Sequence, residues 1–285
     1  MLKDDAARWV AEGRPAVLVS VADAKGSVPR DAGTRMVVSA DACLGTVGGG
    51  HLEWQAIATA REMLAAGRVV PHTVERALGP SLGQCCGGVV TLAFAPLDEA
   101  ALAAWTPRPR FHLQLFGAGH VGRAVARLLA TLDVTVDWID EREDEFPAEP
   151  GPAHIRRVAV DAVEGEVAQA PPGAFYLVLT HRHDLDERIA EAILRRGDFA
   201  FFGLIGSRTK RQKFIHRFEQ RGVPAEAIGR MTSPIGIEGI EGKEPEVIAV
   251  GVVAQLLQRA VTPANAGAHS PHGAPDRSGS RRSPG

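Results

Sequence analysis

Along the first hundred residues the apolar positions change period several times. Two short β-branched runs, 16–22 (AVLVSVA) and 35–40 (RMVVSA), flank the Gly- and Pro-containing segment GSVPRDAGT, which predicts strand, loop, strand. The glycines of GTVGGG then lead into HLEWQAIATAREMLAAG, where Leu52, Ala56, Ala60, Met63 and Leu64 recur at helical spacing and Gly67 stands at the C-terminal cap. A mixed stretch follows, then the loop LGPSLGQCCGG and the strand VVTLAFAPL; the Pro- and Arg-rich linker TPRPR at 106–110 closes this region.

From Phe111 the pattern becomes apolar runs alternating with amphipathic ones, as in a parallel sheet. FHLQLF and VTVDWID predict strands around the helix HVGRAVARLLATL, with further strands at 155–160, 175–180 and 199–205 and helices at about 186–196 and 210–221. A last helix, EPEVIAVGVVAQLLQ, has Pro245 near its first turn and places Val247, Val250, Gly251, Ala254 and Leu257 along one face. Residues 262–285 show no periodicity and read as a disordered tail. The expected architecture is α/β: a smaller N-terminal α+β domain (1–105), then a C-terminal Rossmann-type domain (111–260) with a doubly wound parallel sheet.

Composition narrows the function classes. The 285 residues carry 32 Lys and Arg against 34 Asp and Glu, a formal net charge of -2, so no global field favours nucleic acid. The N-terminus has acids where a leader needs bases, and no stretch reaches membrane-spanning length, so a cytoplasmic protein without membrane contact is expected. Three cysteines, two of them adjacent, fit no disulfide framework.

Gly117, Gly119 and Gly122 directly follow an apolar strand and open a helix, the context that gives a GxGxxG turn its meaning. Gly117 permits the tight turn, Gly119 admits a pyrophosphate to the backbone and Gly122 lets helix and strand pack closely. Asp140 ends the next strand, where a ribose-binding acid sits in NAD enzymes; the alternative is a turn that serves chain geometry alone. His120 is the nearest ionisable group and reads as a partly exposed residue of the helix start.

Cys85 and Cys86 lie among glycines with no bulky side chain to bury them, which suits a ligating or nucleophilic thiolate as well as it suits a small filler packed on the next strand. Cys43 reads as buried filler. THRHDLD places His181, His183 and Asp184 at a strand's carboxyl end; its spacing falls short of a metallo-hydrolase motif, and capping of the next helix through Asp184 or Asp186 is the expected role. GSRTKR, with Ser207, Arg208, Thr209 and Lys210, suits an anion or a solvated helix start. Arg30 and Arg35 either hold a phosphate or decorate a loop.

In order, GSVPRDAGTRMVV, GTVGGGHLE, GQCCGG, LFGAGHVG with VDWID, THRHDLD, FFGLIGSRTKR and SPIG followed by EPEVIAV together resemble the xanthine dehydrogenase accessory (XdhC) family, over about 16–257. The resemblance implies a non-catalytic chaperone that binds the molybdenum cofactor (molybdopterin), shelters it while a cysteine desulfurase exchanges an oxo ligand for sulfido, and passes it to xanthine dehydrogenase. It places the family's cysteine at Cys86, as a soft donor to molybdenum, with Cys85 an additional thiol. His51 stands where relatives of the carbon monoxide dehydrogenase accessory type carry cysteine. The pterin, with its phosphate, is then expected in a cleft between the two domains, with Gly117, Gly119, His120, Gly122, Asp140, Ser207 and Arg208 as further cofactor-binding residues. A homodimer is the expected assembly. The alternative class is an NAD(P)-dependent oxidoreductase using the glycine turn.

Overall fold

The computed structural model describes residues 2–78 and 87–261. Cys85, Cys86 and the tail 262–285 lie outside the described residues.

The N-terminal region comprises α1 (Leu2–Ala11), β1 (Ala16–Lys25), β2 (Arg35–Ser39), β3 (Cys43–Gly45), α2 (Gly50–Ala65), β4 (His72–Ala77), β5 (Val89–Pro96) and α3 (Glu99–Ala104). Its five strands form an antiparallel sheet in the order β3-β2-β1-β5-β4. Strand alternation sends Val17, Val19, Val21, Met36 and Val38 to one face, where they bury Leu52, Ala56 and Ala60 of α2. Ala16 and Val37 go to the other face, under Ala6 and Trp9 of α1 and Trp105. Both sheet faces are covered, which explains the uninterrupted apolar run of β2.

The C-terminal region comprises β6 (His112–Phe116), α4 (His120–Leu129), β7 (Thr135–Asp140), β8 (Ile155–Ala159), β9 (Phe175–Val178), α5 (His183–Arg196), β10 (Phe201–Leu204), α6 (Arg208–Gln220), α7 (Ala225–Gly229), β11 (Met231–Thr232) and α8 (Pro245–Arg259). All pairings are parallel, in the order β11-β10-β9-β6-β7-β8. Renumbered from β6, this is the dinucleotide-fold order 3-2-1-4-5-6, with the direction of winding reversing between β6 and β9. One face packs on α4 and α8 through Leu113, Leu115, Val125, Leu129, Val252 and Leu256. The other packs on α5, α6 and α7 through Phe116, Tyr176, Ile189, Phe214 and Ile228. The doubly wound sheet expected from the sequence is therefore present.

Several local expectations are corrected. The mixed stretch after α2 contains β4, an edge strand whose pattern is mostly exposed and so gives little apolar alternation. Residues 2–11, read only for a leader, form a helix that buries Ala6 and Trp9. Cys43 is exposed, because it opens the three-residue edge strand β3 instead of lying in a core strand. The buried residues of α8 are Ala249, Val252, Val253 and Leu256 together with Gly251, which the sequence placed on the packed face, while Val250 is 49 % exposed. That helix is apolar on most sides, so periodicity alone does not choose its face; packing against α4 does.

Two features of the parallel sheet determine its stability. A Cβ built on Gly122 would stand 2.0 Å from the Gly117 carbonyl oxygen, so the helix start and the strand end touch backbone to backbone. At the opposite end of the sheet, Asp137 is buried, with Arg156 Nε 2.8 Å from its Oδ1 and His112 Nε2 3.2 Å from its Oδ2. Burial pushes its carboxyl upward, but the His112 and Arg156 contacts outweigh this and hold it down at about 2, against an ordinary 3.8.

Gly122→Ala gains helix propensity of about 1 kcal/mol but forces a backbone clash, so a net destabilisation of about 1–3 kcal/mol is expected in urea unfolding. For Asp137, a depressed folded-state pKa contributes stability above the unfolded value that is lost as pH falls towards the folded one. Unfolding of Asp137→Asn measured from pH 7 to pH 2 should show a deficit of about 2 kcal/mol that closes between about pH 4 and pH 2. A deficit unchanged by acid would rule out that electrostatic role.

Candidate functional site

The glycine turn is held from the neighbouring strand. Gly117 N–H donates to the Ile139 carbonyl at 2.8 Å, the Trp138 indole Nε1–H donates to the Gly117 carbonyl at 3.0 Å, and Ala118 N–H donates to Asp140 Oδ2 at 2.6 Å. Gly117 has φ +115, and a Cβ there would lie 2.4 Å from the Leu179 carbonyl oxygen, so the turn also abuts the end of β9. Gly119 is different: a Cβ there would meet nothing within 4 Å. It is the N-cap of α4 and supplies no side-chain cap, which leaves first-turn amides available to an anion. His120 is exposed at this helix start.

Asp140 faces inward, only 4 % exposed. Besides Ala118 N–H it accepts from Arg142 N–H at 2.9 Å, Nε at 3.0 Å and Nη2 at 3.1 Å. Burial raises its carboxyl pKa, but the Arg142 and backbone hydrogen bonds prevail and hold it below the ordinary carboxylate range. Arg142 also pairs with Glu145, which in turn meets Arg123. Both oxygens of the acid are thus engaged in holding the turn, and a ribose diol would have to displace Arg142 to reach them.

A second polar group ties the loops after β9 and β10. Asp186, fully buried, accepts from Thr180 N–H at 3.0 Å and Thr180 Oγ1–H at 2.7 Å, and its Oδ2 lies 2.6 Å from Lys210 Nζ. Lys210 also donates to the Ile205 carbonyl at 3.0 Å. The expected capping role is corrected: the N-cap of α5 is Arg182, with no side-chain cap, because Asp184 pairs with Arg182 and Asp186 is turned towards Thr180 and Lys210. His181 and His183 are exposed, and among the described residues no group of three or more His, Cys, Asp or Glu is placed to hold a metal. Ser207 caps α6 by accepting from Lys210 N–H at 3.2 Å, so its hydroxyl has a structural partner, whereas Arg208 projects into solvent. The buried Asp186–Lys210 pair was not anticipated as a unit; its only sequence sign is an acid and a lysine just after two strand ends.

In the N-terminal region three loops converge. Gly48, Gly49 and Gly50 all have positive φ, and Glu53 Oε2 gathers the loop by accepting from Thr46 Oγ1–H, from Val47 N–H at 3.1 Å and from Gly49 N–H at 3.2 Å. Pro29 lies over this loop, 2.5 Å from where a Gly48 Cβ would stand, with Arg30 beside it. Gly26, three residues earlier, abuts Gly88, whose Cα is 3.2 Å from a Cβ built on Gly26. The arginine loop, the triple-glycine loop and the glycines that follow the cysteine pair therefore meet at one end of the N-terminal sheet. His51 stacks on the exposed Trp54 ring at 5.6 Å beside them. Arg35 does not join this group; it stacks over Trp105 at 4.9 Å.

Comparison with known proteins follows the same division. Residues 9–75 match the XdhC and CoxI family, and residues 113–256 match the XdhC Rossmann domain. The Escherichia coli (strain K12) protein YqeB is 28 % identical over 261 residues, which is 89 % of this chain but 45 % of YqeB, so the chain spans about half the length of that curated relative. A crystal structure described as a xanthine dehydrogenase from Bacillus halodurans superposes with a TM-score of 0.72 at 18 % identity, covering 93 % of this chain and 98 % of that one, a likeness of fold. With one domain model covering half the chain and a second covering the region before it, the chain belongs to the XdhC family.

Proposed function

We propose that this protein is an accessory factor for the maturation of xanthine dehydrogenase. In this reading it is a non-catalytic cytoplasmic chaperone, acting as a homodimer, that binds the molybdenum cofactor, protects it while a cysteine desulfurase supplies sulfur, and delivers it to xanthine dehydrogenase. Beyond family membership, the observation that carries the proposal is that the arginine loop touches both the triple-glycine loop, through Pro29 at Gly48, and Gly88, two residues after Cys86 in the sequence. A cysteine thiolate is a soft donor suited to molybdenum, and Arg30 supplies a cation for an anionic cargo. The open Gly119 position and the uncapped start of α4 offer a seat for a phosphate.

The bound cargo would supply the redox-active metal, and the residues of this chain bind it, orient it and keep water from it. The glycine turn also keeps a nicotinamide oxidoreductase in view as the alternative. That alternative is weakened by Asp140, whose oxygens are committed to Ala118 and Arg142.

Co-expression with cofactor biosynthesis followed by metal and pterin analysis tests the thiolate: Cys86→Ala should lose most of the retained molybdenum with its melting temperature unchanged, and equal retention would refute the assignment. Gly119→Val separates seat from scaffold. A Cβ there meets nothing within 4 Å, so the cost should be limited to that of a poorer N-cap, about 1 kcal/mol, while pterin retention falls several-fold. In a fluorescence titration, NADH should give no saturable signal; a saturable one lost on Gly119→Val would favour the oxidoreductase.

A further inference from the structure

Beyond the glycine turn, past β9, the carboxyl ends of β10 and β11 carry an open groove of about 610 Å³, within the size range of small-molecule sites. The segment following β11 forms one wall, α8 another, and Arg208 stands at the rim. The wall is pre-set. The Gln255 side-chain amide holds both backbone groups of Gly236, accepting from its N–H and donating to its carbonyl at 3.0 Å each, and Ile237 N–H donates to the Gly251 carbonyl at 3.2 Å. Gly251 packs against the same segment, a Cβ there meeting Gly236 Cα and Ile237 N at 3.8 Å, an ordinary contact distance. A recognition surface fixed in advance loses little entropy on binding.

Arg208 and Glu238 both line this groove, yet neither makes an ion pair or hydrogen bond, with the other or with any other described residue. Gln258 is likewise unpartnered beside them. Of the nearby cations Lys210, Arg217 and Arg221 are paired with carboxylates, while Arg211 and Lys213 of α6 are, among the described residues, unpaired like Arg208 but do not line the groove. Two unpaired charges of opposite sign lining one groove can complement a flat ring with an acceptor edge and a donor edge. A fused 2-amino-4-oxopyrimidine is such a ring. Its carbonyl oxygen and adjacent ring nitrogen accept a forked pair of hydrogen bonds from a guanidinium, and its ring N–H and amino group donate to a carboxylate.

We propose that this groove binds the 2-amino-4-oxopyrimidine edge of a fused heterocycle, with Arg208 on the carbonyl side and Glu238 on the amino side. The edge is shared by pterins and guanine; the choice of a pterin as the natural source rests on the cofactor reading above. Gln258 adds an amide at the rim.

Quenching of pterin fluorescence on the full chain, with neopterin as probe, tests this. Lumazine, which has an oxo group in place of the 2-amino group, and GMP and AMP as competitors complete the set. Neopterin should bind; lumazine should bind at least tenfold more weakly, GMP should compete and AMP should not. Glu238→Gln and Arg208→Ala should each weaken neopterin about tenfold to a hundredfold, with melting temperatures unchanged. GMP binding more tightly than neopterin would support the groove chemistry and make a guanine nucleotide its source. The proposal is overturned if wild type binds neither neopterin nor GMP, if lumazine binds as well as neopterin, or if both variants bind like wild type. Molybdenum retention, measured on the same variants, separates the two readings. Retention by wild type without any effect of either variant on neopterin removes the groove and leaves the chaperone standing. Neopterin binding that depends on Glu238, in a protein that retains no molybdenum, does the reverse.

Discussion

The shape of the Rossmann turn rests on the end of a neighbouring strand. Trp138, Ile139 and Asp140 of β7 each make one hydrogen bond to residues 117 and 118, so three consecutive residues fix the path between β6 and α4. Through Gly122, which meets the Gly117 carbonyl, the same path fixes where α4 starts, and α8 lies on α4. The layer of helices on that sheet face is therefore in register with the turn. A buried carboxylate costs several kcal/mol unless it is satisfied, and here satisfaction comes from Ala118 and Arg142 together.

That arrangement changes the meaning of an acid at a strand end. Its position along the chain is that of a ribose ligand, while its contacts are those of a structural anchor. Position is legible in sequence; the direction in which a carboxylate points depends on Arg142, two residues later, and on the depth of burial. The same distinction applies to Ser207 and Asp186. Both stand near helix starts where caps are found, and their hydrogen bonds show that Ser207 caps α6 whereas Asp186 ties Thr180 to Lys210. Fold and ligand are separable for this reason.

Most of the elements were readable because their apolar periods are strong: β1, β5, β6, β7 and α4 each bury a stripe or a run that matches its geometry. The elements that escaped have weak or ambiguous patterns. In β4 most positions are exposed, and α8 is apolar on too many sides to reveal which one packs. The exposed thiol of Cys43 escaped because neither its composition nor its neighbours show that β3 is an edge. At the candidate site, the glycines and their roles were legible one by one. What could not be read was proximity: the approach of Gly26 to Gly88 and of Pro29 to Gly48 joins motifs that are distant in the chain. The unpaired charges of the groove were equally hidden, since a free Arg208 and a paired Arg217 look alike in a sequence.

The depressed proton affinity of Asp140 has a consequence for any phosphate seated on the turn. A phosphate monoester sheds its second proton near pH 6, whereas the carboxylate that shapes the seat is held below the ordinary carboxylate range. Across mild acidification the cargo changes charge while the Asp140 carboxylate keeps one form. Any sensitivity of docking to acidity in that range then has its origin elsewhere than in the carboxylate that shapes the seat.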